Sequence, residues 1–365
     1  MKKLDRQDLV DILVGCAILG TGGGGSLIEG IKKIDAALKL DKEFVLVDFN
    51  ELEDEDLVAT PYSCGAISPL TEEEKKKYEG LSLIDEVPQV VALREMEKYL
   101  GKEIKAVIST ELGGGNTATA LYCGAMSGKY IIDADPAGRS VPELQHSTYF
   151  LNELNIYPIS VVNKFGESAI ITKVVNDYRA EALVRAMAVV SQNNIAVVDH
   201  VETVKVLRNS VIRGAISQAL EIGKAFRIAK ENEKDIASKV AETGNGVVVF
   251  RGIVKSNDWD TVKGFTVGNL VVEGKEEYTG DIFKVWYQNE NIITWKNGEY
   301  FATVPDLVCI FDDDNKEPLL NPYGEKDKNV SIIVLPAPTE WTTERGLEVF
   351  GPKSFGHDID WKAFV

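Results

Sequence analysis

The sequence predicts an α/β protein, with an α/β domain over residues 1–243 followed by a smaller all-β domain, a sandwich or a barrel, over residues 244–329. Its 365 residues exceed the roughly 250–300 that one hydrophobic core usually supports. Before residue 244, short apolar strands alternate with helical patterns, which is typical of a mostly parallel sheet covered on both faces, in three layers. Beyond it, runs rich in β-branched and aromatic residues indicate strands alone.

The first part of the chain supplies the alternation of helices and strands. Apolar residues at helical spacing end in a glycine tract, and a second helix follows with Ser26 as its N-cap. The charge run at 71–77 is predicted to form a solvated helix or loop face. Over the whole of this part, the pattern predicts helices at 9–19, 117–126 and 142–154 and strands at 104–110 and 130–132.

The β-rich part contains five apolar runs separated by turn residues. Asn297-Gly298 lies between two of these runs and predicts a hairpin turn, because both residues tolerate positive φ. A last strand at 331–335 is predicted to return, with the tail 330–365, to the first domain. The five runs lie at 247–255, 265–273, 282–288, 292–295 and 307–311.

Composition excludes several classes of protein. The chain carries 57 acidic and 40 basic residues, a net charge of -17, which argues against nucleic acid and anionic membranes as partners. No apolar stretch approaches the ~20 residues of a spanning helix, and no secretory signal is seen. Four scattered cysteines fit a reduced, cytoplasmic protein. Three isolated histidines exclude a histidine-rich binuclear metal centre and a HExxH protease helix.

Two glycine-rich loops are candidates for binding. The first offers free backbone N–H groups at the start of a helix, although no Walker lysine follows, and a tight turn between helices is the alternative. The second follows a strand, at the sheet edge where α/β proteins bind ligands. There Glu111 and Asn116 would bracket a backbone nest, unless the loop is a plain turn capped by Asn116. The glycines are Gly22, Gly23, Gly24 and Gly25 in the first loop and Gly113, Gly114 and Gly115 in the second.

An acidic bend forms the third candidate. Asp133 and Asp135 follow a strand and could act as acid and base, or share a divalent metal ion with His146. Arg139 could grip a substrate carboxylate. Glu143 would share a helical face with His146. The alternative is a solvated acidic loop with a helix cap.

A polar block interrupts the β-rich part. Asn289 and Glu290 lie between two apolar strands and could reach across a cleft to a ligand, unless they form only a turn.

Six motifs in order along the chain resemble the S-methyl-thiohydantoin desulfurase family. The resemblance implies a three-layer α/β/α N-terminal domain, a β-barrel-like C-terminal domain, and hydrolysis of a five-membered imide-like ring with loss of a sulfur group. It also implies hydantoinase or oxoprolinase partners, which the genes of this family often accompany. The motifs are GTGGGGS at 20–26, ELGGGN at 111–116, DADPAGRSVPELQ at 133–145, QNEN at 288–291, TVPDL at 303–307 and FGPKSFGHD at 350–358.

These features give one main hypothesis, a hydrolase acting on a hydantoin-like small molecule. Asp133 or Asp135 would activate water, directly or through a divalent metal, and Glu143 would protonate the leaving group. Backbone N–H groups of both glycine loops would stabilise negative charge on the ring, and Arg139 would hold a substrate carboxylate. A non-catalytic subunit of a hydantoinase or oxoprolinase and a nucleotide-dependent enzyme are the rival hypotheses. A homo-oligomer is expected.

Overall fold

A computed structural model describes residues 1–65 and 76–364. All but the last two residues of the predicted charge run at 71–77 lie outside this part of the chain. None of the helices in the described ranges is both long and apolar enough to cross a membrane. These helices are α1 (Arg6–Leu19), α2 (Leu27–Lys39), α3 (Pro88–Leu100), α4 (Asn116–Ser127), α5 (Thr148–Leu151), α6 (Asp177–Val189), α7 (Val204–Leu207), α8 (Ala215–Glu231), α9 (Ile236–Thr243) and α10 (Glu344–Phe350).

In the described residues, the strands form two eight-stranded sheets and one short two-stranded ladder. In chain order they are β1 (Lys2–Leu4), β2 (Phe44–Val47), β3 (Leu57–Gly65), β4 (Ile104–Val107), β5 (Tyr130–Ile132), β6 (Ala134–Asp135), β7 (Ile159–Val162), β8 (Ser168–Ile171), β9 (Asn194–Thr203), β10 (Ile212–Arg213), β11 (Val247–Val262), β12 (Phe265–Gly274), β13 (Ile282–Gln288), β14 (Glu290–Lys296), β15 (Glu299–Thr303), β16 (Leu307–Asp312), β17 (Glu317–Pro318) and β18 (Asn329–Leu335).

The first sheet has the order β1-β2-β5-β4-β3-β9-β7-β8 and is buried on both faces. Neighbouring residues of a strand point to opposite faces. Val107 and Ile131 therefore share one core with helices α1 and α8, whereas Ala106 and Ile132 share another with Tyr149 of α5. This arrangement confirms the α/β fold class. The sheet is mixed rather than mostly parallel, because only β2, β5, β4 and β3 run parallel to one another.

The second sheet is antiparallel throughout, in the order β15-β14-β13-β12-β11-β18-β16-β17. The predicted hairpin is confirmed, since Lys296 pairs with Glu299 across Asn297-Gly298 and both turn residues have positive φ. Within residues 1–65 and 76–364, no ladder joins β15 to β17. Closure into a barrel therefore stays a prediction, as do the domain boundaries.

The last strand lies in the second sheet, where β18 pairs with β11 and β16. Val330, Ile332 and Val334 belong to the core of that sheet, whereas Ile333 and Leu335 pack in the core that also contains α1 and α8. Beyond the strand, the indole nitrogen of Trp341 donates to the carbonyl of Ala137 at 2.8 Å. The return of the tail to the first domain stays a prediction.

The helix predicted over 142–154 is also wrong, since only α5, Thr148–Leu151, is helical there. Residues 142–147 form bends and a turn instead, and tertiary hydrogen bonds hold the two residues before them. The Val141 N–H donates to Glu111 Oε2 at 2.7 Å, and the Ser140 hydroxyl donates to the Leu112 carbonyl at 2.9 Å. These bonds place the segment against the loop after β4.

Candidate functional site

The two glycine loops lie in direct backbone contact. A Cβ on Gly24 would collide with Gly113 Cα, and a Cβ on Gly113 would collide with Gly24. The Gly24 carbonyl accepts hydrogen bonds from the N–H groups of Gly115 and Asn116 at 3.0 and 3.1 Å. Gly24 also has φ +79°, a backbone conformation that favours glycine. The structure therefore brings together two loops that lie almost ninety residues apart in the sequence.

A cavity of about 1120 Å³ opens beside this contact and extends to the second sheet. Its walls come from both parts of the chain. The predicted site residues that line it are Gly22, Gly23, Gly24, Gly25, Glu111, Asn116, Glu143, His146, Asn289 and Glu290.

Glu111 is a buried carboxyl group at the end of the β4 loop. Asn116 Nδ2 donates to its Oε1, and the Val141 N–H donates to its Oε2. Burial raises the pKa of Glu111 to about 7, while these hydrogen bonds and the charge of Arg139 act in the opposite direction. A carboxyl group with a pKa near neutrality can both accept and release a proton at that pH.

Glu290 approaches the same cavity from the second sheet. Its side chain fills the space that a Cβ on Gly23 would need, and the residue is 2% exposed. Oε2 has no hydrogen-bond partner within the described chain. Burial, followed by the negative charge of Glu111, raises the pKa of Glu290 well above its ordinary value. Burial therefore favours the neutral, protonated form of Glu290.

The glycine tract provides the hydrogen-bond donors. The Gly23 N–H is used internally, by the Gly20 carbonyl at 2.9 Å. The N–H groups of Gly22, Gly24 and Gly25 donate to no other group in the described part of the chain. Helix α2 begins directly after them, and the positive end of its dipole favours negative charge at this point.

Glu143 and His146 occupy another wall of the cavity. Glu143 is half-buried and accepts from Gln145 Nε2 at 2.8 Å; burial, then the charge of Glu181, raises its pKa. His146 Nε2 lies 4.0 Å from Glu143 Oε2. Burial lowers the pKa of His146 to about 3, so its ring is neutral. Glu143 thus remains a candidate proton donor.

The structure gives the two aspartates of the acidic bend other roles. Both Asp133 oxygens accept from Ser217, at 2.8 Å from its N–H and 2.5 Å from its hydroxyl, which caps the start of α8. Asp135 is buried and accepts from the Gly138 N–H at 2.7 Å. Neither lines the cavity, so the prediction that one of them activates water is wrong.

The predicted metal site of Asp133, Asp135 and His146 is contradicted as well. Within residues 1–65 and 76–364, no group of three or more His, Cys, Asp or Glu side chains is placed to hold a metal ion. The ring of His146 instead packs against Phe350 and Phe355, with centroids 5.0 and 5.5 Å away.

Arg139 links the first glycine loop to the second sheet and does not line the cavity. It is fully buried, and its five N–H groups are all used. Nη2 donates to the hydroxyl of Thr21 at 2.7 Å, in the glycine loop. The other acceptors are the carbonyls of Ser140, Asn291, Pro305 and Asp306. No donor is left for a substrate carboxylate, so that prediction is wrong.

The second glycine loop supports the site without lining it. The Gly113 N–H donates to Thr117 Oγ1 at 3.1 Å, and the Gly115 N–H donates to Gly24. Gly113, Gly114 and Gly115 are absent from the cavity wall. They therefore position the first loop and do not stabilise charge on a ligand, which corrects the prediction.

Sequence reasoning missed a second polar cluster in the same wall. Tyr62, Tyr149, Asp199 and His200 line the cavity, and all four are buried. The available signal was the Asp199-His200 pair, which interrupts an otherwise apolar strand. A polar pair of this kind needs partners when it is buried.

Comparison with solved structures supports the fold. The crystal structure of a protein from Chromobacterium violaceum aligns with a TM-score of 0.76, covering 100% of both chains at 19% sequence identity. Likeness at this level of identity shows the fold alone. A search of the curated proteins found no match.

Two family models account for almost the whole chain. Residues 7–173 match the model described as S-Me-THD-like, N-terminal domain, and residues 175–364 match the model described as S-Me-THD-like, C-terminal domain. The cavity is lined by residues from both matched regions. With both matches in sequence order, the protein belongs to the S-Me-THD-like family.

Proposed function

We propose that the protein is a hydrolase that acts at the amidine-like carbon of a hydantoin-type ring, with S-methyl thiohydantoin as the substrate to test first. One observation carries the proposal. Glu111 in the loop after β4 and Glu290 in β14 place two carboxyl groups of raised pKa in one cavity, beside free backbone N–H groups. A pair of acids of unequal pKa is suited to moving protons in both directions. Family membership supports the choice of ring.

Glu111 is assigned to the addition step. In its ionised form it takes a proton from water as the oxygen bonds to the ring carbon, and it passes this proton to the ring nitrogen. A pKa of about 7 suits both transfers near neutral pH. The N–H groups of Gly24 and Gly25 stabilise the negative charge that develops on the ring.

Glu290 is assigned to the cleavage step. The neutral adduct carries a hydroxyl and the methylthio group on one carbon. When the carbon–sulfur bond breaks, its electron pair goes to sulfur, which takes the proton of Glu290 and leaves as methanethiol. The hydroxyl proton is released as the ring carbonyl forms, and it restores Glu290. Water and the substrate thus give methanethiol and a hydantoin.

The test compares Glu111→Gln and Glu290→Gln with the wild-type protein. Methanethiol release is followed with a thiol reagent, and hydantoin formation by chromatography. We expect each variant to lose roughly 10²–10⁴-fold in kcat, since each removes one proton-transfer group. The control is Glu97→Gln, the same chemical change in a carboxylate outside the cavity wall, which accepts from the Ile104 N–H.

Two results would count against this assignment. Wild-type rates in both cavity variants would remove the carboxyl pair from the mechanism. If the wild-type protein turned over no hydantoin or thiohydantoin but co-purified with a hydantoinase or oxoprolinase, the non-catalytic alternative would be favoured.

A further inference from the structure

A strained histidine lines the same cavity as the two glutamates. His200 belongs to β9 but has φ +41°, in the left-handed region that strand residues avoid. The ladder between β9 and β3 changes register here, because Val58 pairs with Glu202 whereas Thr60 pairs with Asp199. A bulge of this kind re-aims a side chain and is common beside active sites.

Hydrogen bonds fix the orientation of the His200 ring. Its Nδ1 lies 2.9 Å from Asp199 Oδ1, and the Tyr62 hydroxyl donates to Asp199 Oδ2 at 2.7 Å. Tyr149 stacks on the ring, with centroids 4.3 Å apart and planes 25° from parallel. Both oxygens of Asp199 are therefore engaged, and the carboxylate favours the tautomer with the proton on Nδ1.

Nε2 is the ring nitrogen that remains. It has no hydrogen-bond partner within the described chain, and the His200 side chain is 4% exposed. Asp177 Oδ1, at the start of α6, lies 4.0 Å away and also has no partner there. A ligand oxygen or nitrogen about 2.8 Å from each atom would bond to both. His200 lines the cavity whereas Asp177 does not, so the unpartnered Nε2 is the atom that indicates a place for a polar ligand group.

The groups facing the ring are mainly acidic. Asp199 and Glu202 lie on its own strand, Tyr62 on β3, Tyr149 on α5, and Asp177 on α6. Carboxylates on both sides stabilise an imidazolium that forms during a reaction, as in hydrolases in which an aspartate orients a histidine base.

We propose that His200 is a second catalytic residue of this cavity, a base whose Nε2 accepts the hydroxyl proton of the adduct. Asp199 and Tyr62 are positioning residues. The inference rests on the proposed hydrolysis. There, the adduct's O–H bond breaks and its proton goes to Nε2 as the carbon–oxygen double bond forms. The carbon–sulfur bond breaks at the same time, and sulfur takes the proton of Glu290. The imidazolium then returns its proton to Glu290 through solvent.

The test uses the full chain and His200→Gly. Glycine tolerates φ +41°, so this variant removes the imidazole without adding strain. We expect kcat for S-methyl thiohydantoin to fall roughly 100-fold or more, and free imidazole to restore part of the loss by entering the vacated space. A purely structural role would not respond to imidazole. The control is His357→Gln, which changes a histidine outside the cavity wall and should keep the wild-type rate.

Tyr62→Phe provides the second test, since it removes only the hydroxyl that bonds to Asp199. We expect a several-fold lower kcat with KM unchanged, because Asp199 loses the hydroxyl that helps it to orient the His200 ring.

The outcomes separate the two proposals. Wild-type turnover together with an unchanged rate in His200→Gly overturns this inference alone. If His200→Gly does not fold, an unchanged kcat in Tyr62→Phe has the same consequence. No turnover by the wild-type protein overturns the proposed function and this inference with it.

Discussion

Replacing Glu111 with Gln removes a carboxyl group that the fold holds partly neutral near pH 7, so we expect the variant to gain stability at alkaline pH. Gln has nearly the same shape and can still accept from the Val141 N–H. Asn116 can turn its amide to offer an oxygen instead of a nitrogen. The hydrogen bonds are therefore retained, and the main change is the loss of a titrating group.

The size of the effect follows from the pKa. The ordinary value is 4.5, and burial raises it to about 7 in the folded protein. Between these values the folded state binds more protons than the unfolded state, so stability falls as pH rises from 4.5 to 7. At 1.36 kcal/mol for each factor of ten, the loss is about 3 kcal/mol. The variant escapes this loss, and its advantage should be fully present above pH 7 and absent below pH 4.5.

Urea unfolding at a series of pH values measures this difference directly. The unfolding free energy of Glu111→Gln minus that of the wild type should rise with pH, following the titration of one group. Subtraction removes the contributions of carboxyl groups that do not interact with Glu111. Glu290 and Asp135, whose pKa values the charge of Glu111 raises, respond to the substitution as well. Glu97→Gln makes the same chemical change outside the cavity wall and serves as the comparison.

A flat difference across the pH range would refute the reasoning, since Glu111 would then titrate alike in the folded and unfolded states. A variant less stable than the wild type at pH 8 would show that the ionised carboxylate stabilises the fold. Glu111 would then be poorly suited to accept and release protons near neutral pH.

Three further changes test the packing around the site by chemical unfolding. Gly24→Ala should lose about 2 kcal/mol or more, from positive φ and the collision with Gly113; an unchanged midpoint would contradict the contact between the loops. Arg139→Met should lose about 3–5 kcal/mol, because its buried acceptors lose their donor. A stable variant with only a raised KM would instead restore its role in substrate binding. Asp133→Ala should lose about 1 kcal/mol through the cap to Ser217, with kcat unchanged; a large fall in kcat would return Asp133 to the mechanism.

Local signals in the sequence predicted much of the fold. Ser26 caps α2 as expected, since its hydroxyl accepts from the Glu29 N–H at 3.3 Å. Asn297-Gly298 forms the hairpin turn, and Glu111 with Asn116 brackets the loop after β4. These features depend on residues close together in the chain, where capping, turn conformation and periodicity determine the structure.

The errors arise from partners distant in sequence. Asp133 was expected to be catalytic, and nothing near it in the chain shows that Ser217 occupies both its oxygens. Arg139 was expected to bind a substrate carboxylate, and nothing near it in the chain shows that its N–H groups donate to Thr21 and to carbonyls beyond residue 290. His200 gave only a weak signal, because the bulge that re-aims it requires the register between β3 and β9. The roles of these side chains depend on contacts between residues far apart in the sequence, which the spacing of apolar residues does not predict.

The bonds of Arg139 limit how the polypeptide can be divided. Its carbonyl acceptors at Asn291, Pro305 and Asp306 fall in the second matched region, whereas Arg139 and Thr21 fall in the first. A fragment that ends near residue 174 would contain the Arg139 guanidinium without these three carbonyl acceptors. The complementary fragment would contain the carbonyls without their donor. Separate expression of the halves should therefore yield poorly soluble pieces, and co-expression of both should be needed to rebuild a working protein.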